Sequence, residues 1–331
     1  MQALKPYLAN IENLTKTSLD EDKKPYIHPQ LKNLGCVSIV LIREAIAPVI
    51  FRNAEPEITD IEWQEELYVR AVPNKFKYIE RGRGLQILRA LKLGGSQAQN
   101  KTILHKGQKI SEAFDLNTLV FGDSTTIKDN SKKKVLPVRA AVNYSDALSV
   151  KTKAACVEST FHNRAMEDGT LFDAEDSKNS EHLFTRHFIK PGTLMVQTLS
   201  TRGQVLPEIG LKHLLLSVGL AGSYGGQTSV TGINIKTHIV GIYADSFEQA
   251  ISSPYELLKV LADQADADLD SIKAALHTAL QAQHSVAIQG DTAQAWQQSL
   301  IKAFEQTGSE LEQEYKTAQP KVATLFDQWF S

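Results

Sequence analysis

Four segments follow one another closely: Thr193-Leu194-Met195-Val196-Gln197-Thr198-Leu199-Ser200-Thr201; Pro207-Glu208-Ile209-Gly210-Leu211-Lys212-His213-Leu214-Leu215-Leu216-Ser217-Val218; Ala221-Gly222-Ser223-Tyr224-Gly225-Gly226-Gln227-Thr228-Ser229-Val230-Thr231-Gly232; and Ile233-Asn234-Ile235-Lys236-Thr237-His238-Ile239-Val240-Gly241-Ile242-Tyr243-Ala244. The first alternates apolar and polar residues and predicts a strand. In the second, Pro207 suits a first helical turn, and Leu211, Leu214, Leu215 and Val218 follow the i, i+3, i+4, i+7 pattern of a helix. The third is rich in glycine and hydroxyl side chains. The fourth is dense in β-branched residues and predicts a second strand. Strand, helix, glycine loop, strand is half of a ferredoxin-like fold.

The order of these elements decides what the loop can bind. Successive backbone N–H groups in such a loop form an anion nest, and Ser223, Thr228, Ser229 and Thr231 add hydroxyl donors. A P-loop runs strand, loop, helix and carries Gly-Lys-Ser/Thr. A dinucleotide fingerprint also puts the strand first. Here the helix precedes the loop and no lysine lies within it. The loop therefore reads as a cradle for a phosphate backbone, and no nucleotide cofactor is expected.

Charge gives the second clue. The chain of 331 residues has a formal net charge of -2. Residues 70–110 nevertheless hold ten bases and one acid, Glu80, or +9, while residues 245–331 hold thirteen acids and five bases, or -8. In the basic segment, Lys75, Lys77, Arg81, Arg83 and Arg89 surround Arg81-Gly82-Arg83-Gly84, with Phe76 and Tyr78 just before it. Arginine forks onto phosphate oxygens, and exposed aromatic rings stack on unpaired bases. This predicts a single-strand-binding element, with a short helix only over residues 85–93, ended by Gly94-Gly95. Lys132, Lys133 and Lys134 form a further basic run in a polar loop.

Residues 37–43 predict a buried strand. From residue 254 the composition turns to Ala, Gln, Leu and Asp, with apolar residues at helical spacing. The expected architecture is α+β. A ferredoxin-like, RNA-recognition-motif (RRM) palm occupies residues 1–250, with basic insertions over about 70–190, and a module of about four helices occupies 251–331. Two distant cysteines, Cys36 and Cys156, read as buried thiols. No leader pattern opens the sequence, and the apolar run 37–51 is broken by Arg43, Glu44 and Pro48, so a cytoplasmic protein away from membranes is expected.

The helix at 208–218 followed by Ser223-Tyr224-Gly225-Gly226-Gln227-Thr228 resembles the signature loop of the repeat-associated RRM-fold proteins of CRISPR systems. Phe121-Gly122-Asp123-Ser124, Phe161-His162-Asn163-Arg164 and Glu167-Asp168-Gly169-Thr170-Leu171-Phe172 make the wider chain similar to the backbone subunits of type I-D Cascade complexes, over about residues 30–250. The resemblance implies a protein that polymerises along a guide crRNA. Its palm is joined by an inserted thumb that kinks the RNA, and the bases stay open to target DNA. It implies contact with the guide backbone for Ser223, Tyr224, Gly225, Gly226, Gln227 and Thr228. It also implies as partners the guide RNA, target DNA, further copies of the chain, a large subunit, a guide-end-binding subunit and a guide-processing endonuclease. Arg164 is a further phosphate candidate.

Catalysis is less legible. Related subunits cut target strands with an aspartate, so a metal-dependent nuclease is the alternative reading, with Asp123 and Asp60 as candidates. Glu181-His182 and His187 have no cysteine nearby, and no metal or other cofactor is expected. His213 lies off the apolar stripe of its helix and is expected at the surface or an interface rather than as a ligand.

Overall fold

A computed structural model of the chain describes residues 1–14, 18–19, 25–26, 34–51, 60–94, 114–123, 138–163, 172–173, 178–179, 183–226, 232–264 and 266–329. The elements that matter here are β1 (Cys36–Ala45), β2 (Asp60–Trp63), β3 (Glu66–Ala71), α1 (Asn74–Ala90), α2 (Leu116–Phe121), β4 (Val142–Tyr144), β5 (Ala147–Thr152), β6 (Val157–Asn163), β7 (Leu183–Ile189) and β8 (Leu194–Thr201). They are followed by α3 (Glu208–Gly219), β9 (Ile235–Asp245), α4 (Pro254–Val260), α5 (Leu269–Gln281), β10 (Val286–Gln289), α6 (Gly290–Glu305) and α7 (Glu310–Trp329).

The main sheet is antiparallel, in the order β10-β9-β1-β8-β5-β3-β2, and β4 also pairs with β8. Within it, β1, β5, β8 and β9 are the four palm strands, with α1 between the first two and α3 between the last two. Their spatial order, fourth-first-third-second, is that of a ferredoxin-like β-α-β-β-α-β unit. The expected α+β palm is therefore present, extended on one edge by the hairpin β2–β3 and on the other by β10.

The alternation of β1 separates two cores. Val37, Ile39 and Leu41 face one side with Met195, Leu199 and Ile242, under α1, α3, α6 and α7. Val40 and Ile42 face the other side with Val196, Val240 and Tyr243, under α4 and α5. The C-terminal part is helical, as expected, but β10 pairs with β9 and so belongs to the sheet.

Three expectations need correction. Arg81-Gly82-Arg83-Gly84 is not a loop, because the whole of Asn74–Ala90 is helix. Its buried stripe, Phe76, Glu80, Gly84 and Leu88, has i, i+4 spacing but includes a carboxylate and a glycine. Gly84 is required by close helix approach, since a Cβ there would lie 2.0 Å from Asn117 Oδ1. Phe76 is fully buried and cannot stack on a base, whereas Tyr78 is 54 % exposed. His213 is buried as well, because α3 is covered by α1, α2, α6 and α7 rather than on one face. Cys36 and Cys156 are buried free thiols, as expected.

Candidate nucleic-acid interface

The open face of an RRM sheet is the usual platform for stacking bases. Here α4 and α5 cover much of that face. The central positions beside them carry Ser38 and Ser200, whose hydroxyls lie 3.2 Å apart, in place of aromatic rings.

The glycine loop leaves α3 through Leu220 and is pinned at both ends. Gly222 O accepts from the N–H groups of Asn234 and Ile235, at 2.9 and 3.1 Å. Between these ends, the Asn234 side chain clamps one residue: its Oδ1 accepts from Tyr224 N–H at 2.9 Å and its Nδ2 donates to Tyr224 O at 2.8 Å. Gly225 has φ +93°, and its Cα lies so near the Val49–Ile50 segment that a Cβ would sit 2.3 Å from Ile50 O. Gly226 N–H donates to the same carbonyl at 3.2 Å. Val49 in turn pairs with Ile189, at the root of the β6–β7 hairpin. Loop, segment 49–50 and hairpin root are thus one contiguous structure.

Tyr224 is a further correction. Its ring is 1 % exposed and packs 5.2 Å from Phe76, and its backbone donor and acceptor are both taken by Asn234. It offers nothing to a ligand and serves as the anchor of the loop. Ser223 and Gly225 are half-buried and Gly226 is exposed. The Ser223 hydroxyl makes no hydrogen bond among the described residues. Gln227, Thr228 and Arg164 lie outside the described residues, as do Lys132, Lys133, Lys134, Glu181 and His182.

Beneath the loop lies a buried ionic cluster that the sequence reading missed. Arg43 Nη1 and Glu80 Oε1 form an ion pair at 2.7 Å, with both side chains fully buried. Glu80 Oε2 accepts from Tyr144 OH at 2.6 Å, and Oε1 from Tyr224 OH at 2.9 Å. Arg43 donates to Gln197 Oε1 at 3.0 Å and Thr237 Oγ1 at 2.9 Å, and lies over the Phe76 ring at 4.7 Å. Burial by itself disfavours the Arg43 charge; the Glu80 carboxylate outweighs it and holds the guanidinium above its ordinary value. Burial, then the same carboxylate, pushes both tyrosine hydroxyls well up, so they stay protonated as donors.

Helix α1 displays the basic residues but not as a single stripe. Lys77 and Arg81 are one turn apart on one face, while Arg83 lies about 200° further round at 100° per residue. Lys77 is half-buried. Burial, then the nearby Arg81 guanidinium, pulls its ammonium below the ordinary value, and it has no carboxylate partner among the described residues. Arg81 Nη2 donates to Asp123 Oδ2 at 3.2 Å. Among the described residues, Arg83 bonds the neutral Gln86, at 2.7 Å, and no carboxylate. Lys75 is half-buried, with burial lowering its pKa, and Arg89 is exposed. A half-buried ammonium beside a guanidinium, with no carboxylate among the described residues to offset it, is a local excess of positive charge.

The residues considered for cleavage are engaged otherwise. Asp123 is tied to Arg81, and Asp60 to Lys153. Among the described residues, no group of three or more His, Cys, Asp or Glu side chains could hold a metal. His213 is structural: burial lowers its pKa to about 3. Its Nε2–H donates to Asn117 Oδ1 at 3.0 Å, and its Nδ1 accepts from Tyr315 OH at 2.9 Å. That tautomer follows because Asn117 Nδ2 is already donating to Arg81 O.

The fold is thus a ferredoxin-like α+β palm with a pinned glycine loop before its last strand and a basic crossover helix. The model of the family described as Csc2 Crispr matches residues 66–324, and the chain belongs to that family. Among solved structures, Thermofilum pendens Csc2 shares the fold, with a TM-score of 0.64 and 16 % identity over 99 % of this chain and 95 % of that one. A pre-nicking CRISPR RNA-guided surveillance complex is more distantly similar, at a TM-score of 0.48 and 12 % identity over 73 % of this chain and 87 % of that one. A type IV-B CRISPR complex follows at 0.41 and 13 %, over 61 % and 90 %. No curated protein matches the chain. Among the described residues, no helix is long and apolar enough to cross a membrane.

Proposed function

We propose that the chain is the repeating backbone subunit of a type I-D Cascade complex. It holds guide RNA by its phosphates, adjoins further copies of itself along the guide, and leaves the bases free to pair with target DNA. The observation that carries this reading is the family match over residues 66–324, which takes in both the basic helix and the glycine loop. The covered sheet face supports it, because a subunit that must accept any guide sequence should position phosphates rather than read bases. The proposed contacts are Lys75, Lys77, Arg81, Arg83 and Arg89 on α1, Ser223, Gly225 and Gly226 in the loop, and Gln227, Thr228 and Arg164. The large subunit, the guide-end-binding subunit and the guide-processing endonuclease are proposed as further partners, in the cytoplasm.

The test is purification of the full chain and measurement of its ultraviolet absorbance ratio, followed by binding to single-stranded RNAs of unrelated sequence. The expected result is bound RNA and affinities that agree across sequences. Binding confined to one sequence, or no binding, removes the reading.

A further inference from the structure

The glycine loop and the basic helix are distant in sequence, with Tyr224 and Glu80 separated by 144 positions. One buried carboxylate nevertheless holds both. Glu80 sits in α1 one residue before Arg81 and three after Lys77, so its place fixes theirs. Tyr224 sits between Ser223 and Gly225, so its hydroxyl, held by Glu80 at 2.9 Å, fixes the loop. Arg43 closes the unit from β1 and reaches β8 and β9 through Gln197 and Thr237.

We propose that Glu80 and Arg43 are positioning residues for nucleic acid: they fix the spacing between the glycine loop and the Lys77–Arg81 face, so that the two surfaces bind one strand as a unit. The inference rests on the reading of the chain as an RNA-holding subunit. Its physical content is pre-organisation. A loop already locked to the helix loses little conformational freedom when a strand settles on both, and that loss otherwise opposes binding. The cluster suits this task because Arg43, Glu80, Tyr144, Gln197 and Tyr224 are buried away from ligand and yet join β1, α1, β4, β8 and the loop.

Tyr224→Phe tests it with little damage. The ring, its packing on Phe76 and the Asn234 clamp on its backbone all remain, and Glu80 keeps Arg43 and Tyr144. Only the bonds of the hydroxyl are removed, to Glu80 at 2.9 Å and from Arg43 Nη1 at 3.5 Å. Wild type, Tyr224→Phe, Lys77→Ala and the double variant are titrated with single-stranded RNA, and amide exchange is followed at residues 222–226 and 232–235. Tyr224→Phe should weaken binding about tenfold, or about 1.4 kcal/mol, and speed exchange in the loop. Lys77→Ala should cost less in the Tyr224→Phe background than in wild type, because residues that act as a unit are not additive. Unchanged affinity with strictly additive effects overturns this inference alone, even if the melting temperature falls. If wild type binds no RNA, the reading beneath it fails as well.

Discussion

Replacing Gly225 by alanine should be far more damaging than replacing Gly232, although both glycines have positive φ. Gly225 has φ +93°, and an added Cβ would lie 2.3 Å from Ile50 O, against at least 3.4 Å for an ordinary contact. Loop and segment 49–50 must therefore separate by about 1.1 Å, which breaks the Gly226 N–H bond to Ile50 O. Backbone strain of about 1–3 kcal/mol and a lost hydrogen bond of about 1 kcal/mol give a total of about 2–4 kcal/mol. Gly232 has φ +67° with nothing within 4 Å of the added atom. Only the left-handed conformation is penalised there, by about 1 kcal/mol. Chemical denaturation of the two variants measures the stability difference, and RNA titration shows whether the displaced loop still grips. Equal destabilisation by both substitutions would refute the close approach of Gly225 to Ile50, and with it the pinned geometry of the loop.

Two further outcomes follow from the same structure. His213 is held neutral, with a pKa near 3 in the fold against 6.5 unfolded. Below pH 6.5 the unfolded chain gains a proton that the fold refuses, so stability falls by about 1.4 kcal/mol per pH unit down to the folded value. Between pH 6.5 and 5 this amounts to about 2 kcal/mol that His213→Gln should not lose; parallel losses in denaturation curves would show that the ring is not buried neutral. Arg83, which among the described residues bonds Gln86 and no carboxylate, should act through charge alone. Arg83→Ala should weaken RNA binding equally for all sequences and reduce the slope of log K against log salt by about 0.7, whereas loss for some sequences only would mean that Arg83 touches bases.

The half of the palm from β8 to β9 was legible because its elements keep their own periodicity. The place of the glycine loop, after a helix and before a strand, was legible from the same periodicities. Helix α1 was not, since its buried stripe contains Glu80 and Gly84, and each makes sense only against a distant partner: Arg43 for the first, Asn117 and His213 for the second. A trace was present all the same. Arg43 interrupts an apolar strand and Glu80 is the one acid in a segment of ten bases. Two charges out of place in opposite senses are what a buried pair leaves in a sequence, but nothing local says that they meet. His213 was misplaced because a helix covered on several sides has no polar face to find. Strand β10 was hidden because four residues inside a helical composition become a strand only at the free edge of β9.

The proposed role of this chain is to grip a strand by its phosphates. It is tested most directly by the affinity of the purified full chain for single-stranded RNA over a range of salt concentrations. If each copy covers four to six phosphates, log K should fall against log salt with a slope of about -3 to -4, alike for unrelated sequences. A flat dependence, or a slope that changes with sequence, would contradict it.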